Sequence, residues 1–105
     1  MEINVLGELW NVEFVPGNAK ILLMPNTRTY TIGCCDRHTN TIYLADFLYG
    51  ERLREVLQHE LCHALHYASG GTMDLMSEEC MCNFIGKYAD EITNITEKIL
   101  YGYDT

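Results

Sequence analysis

Along the first 45 residues the apolar positions fall at short, strand-like intervals. Asn4 to Val15 reads as one strand, with apolar and polar residues alternating through its second half. Pro16-Gly17-Asn18 carries turn chemistry and ends it. A short run, Ile21 to Met24, stops at Pro25-Asn26. Thr29 to Cys35 and Thr41 to Ala45 are rich in β-branched and aromatic residues and flank the polar stretch Asp36 to Asn40, which predicts a hairpin. From there the period changes. Leu53, Val56, Leu57, Leu61, Ala64, Leu65 and Ala68 recur at steps of three and four, one face of a helix that starts between Asp46 and Glu51. Glu51 and Glu55 suit its early turns, and Gly70-Gly71 stops it. A second helix starts between Thr72 and Ser77, with Cys80, Phe84, Tyr88, Ile92, Ile95 and Ile99 on one stripe read as core. Gly86 weakens that helix by up to about 1 kcal/mol relative to alanine, so packing must hold it. Residues 101–105 are expected to fray. The pattern holds no repeat, linker or low-complexity segment. The expected fold is α+β: a small antiparallel sheet of three to four strands from the N-terminal half, packed on two helices, as a single domain over 1–105.

Composition narrows the function classes. The chain has 105 residues, 48% of them apolar and 21% charged, which fits an ordinary folded domain. Seven Lys and Arg against 15 Asp and Glu leave a net charge of −8. Such a surface repels nucleic acid and anionic membranes, so neither is expected as a partner. The longest aliphatic run, Ile21 to Met24, is far below the roughly 20 residues of a membrane span. The opening Met1-Glu2-Ile3-Asn4 resembles no secretory leader, and the expected location is the cytoplasm. Five cysteines, an odd number, agree with reduced thiols there. Cys34, Cys35, Cys80 and Cys82 lack the Cys-x2-Cys spacing of a zinc knot.

The chemistry lies in the first helix, at His59-Glu60-Leu61-Cys62-His63. Residues i and i+4 stand on one helix face with Cβ atoms about 5–6 Å apart, so two imidazoles there can converge on one Zn²⁺. Glu60, slightly round the helix, reaches a zinc-bound water and serves as general base. The chain's own composition, with 4 His, yields the pattern by accident about once in a hundred chains. Its place inside a well-patterned helix argues against a chance pair of histidines.

A catalytic zinc takes three protein ligands and keeps one position open. Position 69, where one large metalloprotease class has a third histidine, is Ser69. The second helix offers Glu78 and Glu79 instead. Glu79 is chosen, because Asn83 follows one turn on and can accept a hydrogen bond from the far nitrogen of a ligand histidine. Glu78 and Asp74 stay open as alternatives, and either acid also complements the helix N-terminus. His66, near the metal face, is a candidate for substrate contact or oxyanion stabilisation. His38 is expected in a solvated loop, Cys62 as a small hydrophobe under the site, Tyr67 as helix-surface packing and Tyr88 in the core stripe. Met73, Met76 and Met81 read as core filler. Strand Thr41 to Ala45 is either an exposed edge able to pair with an extended peptide or an interior strand.

These residues resemble the gluzincin-type zincin metallopeptidases. The closer resemblance is to the small ImmA/IrrE-like, and more loosely SprT-like, metallopeptidases of phages and mobile elements. It is carried by Gly33-Cys34-Cys35-Asp36, Thr41-Ile42-Tyr43-Leu44, Val56 to Ala64, Ser69-Gly70, Glu78-Glu79 and Asn83-Phe84-Ile85, roughly residues 30–90. The resemblance implies zinc ligands at His59, His63 and Glu79, Glu60 as catalytic base, and a peptide or protein substrate in a bacterial cytoplasm, with the protein encoded by a phage or prophage. The chain departs from such relatives in showing no attached DNA-binding or sensor domain and no C-terminal domain to wall the cleft. The alternatives to a peptidase are a catalytically silent, zinc-stabilised protein-binding module and a metal-free structural domain. Oligomeric state is not legible.

Overall fold

The computed structural model describes residues 1–102. Two strands, β1 (Glu2–Val5) and β2 (Glu8–Val15), are followed by a single 3-10 turn at Lys20–Leu22. Strands β3 (Gly33–Asp36) and β4 (Thr41–Ala45) come next, then helices α1 (Gly50–Ala68) and α2 (Leu75–Tyr101). The fold is α+β, with a four-stranded sheet in the order β1-β2-β4-β3.

The stretch read as one strand from Asn4 is a hairpin. Leu6 and Gly7 both take positive φ, 52° and 90°. That is the geometry of a two-residue turn whose twist matches the strands on either side. The Asn4 side chain accepts a hydrogen bond from Gly7 N at 2.8 Å and fixes it. Ile21 to Met24 is not a strand. Flanked by Pro16-Gly17 and Pro25, it closes a 3-10 turn that drives Leu22 fully into the core. The β3–β4 hairpin is present, and the Asp36 carboxylate holds its loop by accepting from His38 N and Thr39 Oγ1.

The sheet is mixed rather than wholly antiparallel. β2 pairs with β4 in parallel, Val12 opposite Ile42 and Phe14 opposite Leu44. The chain between residues 16 and 32 crosses far enough to lay β3 one place beyond β2, and β4 returns into the gap. β4 is therefore interior, and β3 is an edge strand. The core is formed by Trp10, Leu22, Ile42, Leu44, Ala45 and Ala64, with Val5 and Leu48 at its margin. One end of the sheet is clamped to α1: Arg37 forms a forked ion pair with Glu8, at 2.6 and 3.2 Å, and lies over the rings of Trp10 and Tyr67.

Helix α1 covers the sheet, and α2 packs on α1. The face of α2 that α1 buries contains Glu78, Cys82 and Gly86. The stripe expected in the core is on the other side. Phe84, Tyr88, Ile92, Ile95 and Ile99 are all about half exposed or more, and Cys80 is exposed. α1 already fills the sheet face, so α2 packs on α1, with Glu78, Cys82 and Gly86 buried in the contact. Gly86 makes this possible, because a Cβ there stands 2.9 Å from the Glu55 carbonyl oxygen and 3.2 Å from His59 Cβ. Gly86→Val is expected to force the helices apart and cost about 1–3 kcal/mol, read as a thermal midpoint lower by at least several degrees. Asp74 is the N-cap of α2, its carboxylate accepting from Ser77 N at 2.9 Å, and it stands apart from the converging donors His59, His63 and Glu79. α2 continues in regular geometry to Tyr101 and is capped by Gly102 at φ 71°, where fraying was expected; residues 103–105 lie outside the described part. No helix among the described residues is long and apolar enough to cross a membrane.

Candidate metal centre

Helix periodicity places His59 and His63 one turn apart on the α1 face that looks along the first turns of α2. Their Nε2 atoms are 3.3 Å apart. The Glu79 carboxylate reaches both, 2.7 Å from His63 Nε2 and 3.5 Å from His59 Nε2. One donor atom from each of His59, His63 and Glu79 lies within 4.8 Å of the others. Donors held about 2.0–2.1 Å from a tetrahedral zinc stand roughly 3.3 Å apart, so the spacing fits that ion. Two imidazoles and one carboxylate also favour zinc over the harder divalent cations.

Glu78, the neighbour of Glu79, has a different place. It is 4% exposed and lies beneath the histidines. One of its oxygens accepts from His63 Nδ1, and the other stands 2.9 Å from His66 Nδ1. With Nδ1 protonated and bound to Glu78, His63 presents the unprotonated Nε2 that a metal requires. Glu78 plays for His63 the part that Asn83 plays for His59. Asn83 hydrogen-bonds the ring of His59, one of the two ligand histidines, and favours its protonated form. Burial outweighs that effect and holds the His59 pKa below its ordinary value, which keeps the ring free to ligate.

His66, the candidate for substrate contact, is held by other groups of the chain. Its Nε2 accepts from Met73 N at 3.2 Å, its Nδ1 faces Glu78, and it is buried. It ties the loop between the helices to the buried carboxylate. Gly71 packs so closely on this ring that a Cβ there would lie 2.2 Å from it.

Glu60 is 7% exposed and opens into the same cleft as the three donors. The cleft measures about 300 Å³ and is bounded by Gly33 and Cys35 of β3 and by Tyr67. Burial pushes the Glu60 pKa up to about 7, against a pull downward from His63, with Glu79 adding to the rise. Glycine at position 33 makes room for it: a Cβ there would stand 2.9 Å from Glu60 Oε2 and 2.8 Å from Val56. Nothing in the sequence pattern flagged Gly33 for this role. Cys34 and Cys35 are thiols whose pKa values burial raises further, so neither is primed as a nucleophile. Cys62 and Cys82 face each other under the site across α1 and α2.

The family model described as SprT-like matches residues 5–76. The chain belongs to the SprT-like family. That family is related to the zincin-like metallopeptidases. Of the two resemblances read from the sequence, the match carries the SprT-like one. It spans His59, Glu60 and His63 and ends before Glu78 and Glu79, so the third ligand rests on geometry. No curated protein matches the chain, and no solved structure does.

Proposed function

We propose that this SprT-like protein is a zinc-dependent metallopeptidase. The observation that carries the reading is the convergence of His59 Nε2, His63 Nε2 and the Glu79 carboxylate beside the buried Glu60 carboxyl. Zinc held there would supply Lewis acidity, lowering the pKa of water from about 15.7 toward 7 and polarising a peptide carbonyl. Glu60 takes the proton of the attacking water and delivers it to the leaving amine, for which a pKa near neutrality suits it. Glu78 holds the His63 tautomer that permits ligation. The peptide is recognised along β3, the sheet edge bordering the cleft, where an extended segment can add as a further strand. This role was weighed for Thr41–Ala45, which is interior. A phage or prophage origin and a cytoplasmic peptide or protein substrate accompany this reading through the ImmA/IrrE-like resemblance.

The test is cleavage of an unstructured peptide library by the zinc-loaded protein. Hydrolysis is expected, lost on chelation and restored by zinc. Zinc-loaded protein that cleaves nothing supports the silent binding module, and cleavage that survives chelation contradicts the metal mechanism.

A further inference from the structure

Helix α2 is 27 residues long, about 40 Å, whereas the 19 residues of α1 span about 28 Å. The helices run antiparallel, with Gly86 against Glu55 and His59 and with Asp90 against Arg54 and Gln58. The last two turns of α2 therefore project past the start of α1. Along α2 and out onto this projection the apolar residues are spaced with unusual regularity. Met81, Ile85, Tyr88, Ile92, Ile95 and Ile99 follow one another at steps of four, three, four, three and four. That is the alternation of the two core positions of a heptad, sustained over the whole run. Met81 and Ile85 line a groove with Gln58, Leu61 and Leu65 of α1, whereas Tyr88, Ile92, Ile95 and Ile99 turn away from the line of Cys82, Gly86 and Asp90 that packs on α1 and stay uncovered. Ile92 and Ile95 are 52% and 50% exposed, and Ile99 is 77% exposed. Between the core positions come the polar residues Lys87, Thr93, Asn94 and Glu97, with Asp90 turned to α1.

The flanking positions indicate the partner. Glu91 and Lys98 each immediately precede a core isoleucine, on the same side of the stripe. Neither side chain has an ion-pair partner among the described residues. In an antiparallel pair of identical helices with Ile92 of one against Ile95 of the other, Tyr88 meets Ile99 in the next layer. In that register Glu91 of each copy falls beside Lys98 of the other, giving two equivalent ion pairs across the two-fold axis. A parallel pairing instead sets Glu91 opposite Thr96 and forms none. The opposite flank bears Ala89 and Thr96, small residues that let the helices approach. Although the whole chain carries −8, residues 84–101 hold two lysines against three acids, so this surface does not repel itself strongly.

We infer that the exposed heptad stripe of α2 is a self-association surface, on which a second copy of this chain pairs antiparallel about Ile92 and Ile95. Such a pairing buries on the order of 1,000 Å² in all, at the lower bound of specific interfaces, so the dimer forms reversibly. The metal centres lie on the other side of α2, one in each copy. The inference holds whether or not they are catalytic.

Sedimentation equilibrium of the full chain, from micromolar to submillimolar loading, tests it. The unmodified chain is expected to show a monomer–dimer equilibrium. The double substitution Ile92→Glu, Ile95→Glu should leave a monomer of unchanged helical circular dichroism, since both side chains are exposed. Glu91→Lys or Lys98→Glu alone should raise the dissociation constant on the order of tenfold, by turning two attractions into repulsions, and the two combined should restore it. A chain that stays monomeric throughout overturns the inference and leaves the stripe to a different partner. A dimer indifferent to the isoleucine substitutions overturns it as well. A charge swap that restores nothing overturns the antiparallel register.

Discussion

Glu60→Gln is expected to lower peptide hydrolysis by about 10²–10⁴-fold while zinc content and fold stay unchanged. The substitution keeps the side chain's size and removes its capacity to take a proton. Glu60 is held within the cleft by Gly33 and Val56 and is not among the three converging donors, so its loss leaves the ligand set intact. The substitution also has a signature independent of activity. In the metal-free chain, burial raises the Glu60 pKa from 4.5 to about 7. The folded state therefore holds this proton more tightly than the unfolded state does. Below pH 4.5 both states are protonated and the group has no effect. As pH rises toward 7 the folded state is penalised, by roughly 3 kcal/mol once ionisation is complete. Urea unfolding of the metal-free protein across that window should show stability falling with pH, and Glu60→Gln should flatten the slope. An unchanged slope would place the buried proton elsewhere, and retained hydrolysis would remove Glu60 from the mechanism.

Glu78→Ala is expected to do more damage to the fold than any substitution of the exposed acids. The carboxylate is buried between His63 and His66, and removing it leaves the buried His63 Nδ1 without its acceptor and takes the acid away from beside His66. A loss of about 1–3 kcal/mol in stability is expected from the buried donor left unsatisfied. Zinc affinity should fall about 10–100-fold, because nothing then selects the ligating tautomer of His63. The two effects separate in Glu78→Gln. The amide oxygen can still accept from His63 Nδ1, so stability recovers in part, while the acid beside His66 is lost. Zinc titration of both variants at matched folded fraction decides it. Undiminished affinity in Glu78→Ala would make Glu78 a structural acid only.

How far the sequence alone reaches depends on the range of each interaction. His59, Glu60 and His63 share one helix and one face, so local periodicity was enough to place them together. The β3–β4 hairpin was legible for the same reason, with two β-rich runs about a short polar loop. The break at Leu6-Gly7 was not, because alternation continued through it and the decisive bond comes from the Asn4 side chain. Parallel pairing of β2 with β4 is a contact across nearly 30 residues that no local pattern records. Glu78 and Glu79 are neighbours about 100° apart on a helix, and only the way α2 lies on α1 sends one to the metal face and the other beneath it. The α2 stripe illustrates a further limit. Its period shows that a face is apolar, but whether that face meets the core or another chain depends on what already covers the sheet.

The central claim is a three-ligand zinc site assembled from α1 and the first turns of α2. Elemental analysis of the dialysed protein beside Glu79→Ala tests it most directly. One equivalent of zinc in the unmodified chain, largely lost in Glu79→Ala, is the predicted result. Full retention of zinc by Glu79→Ala, or no zinc in the unmodified chain even after reconstitution, would contradict it.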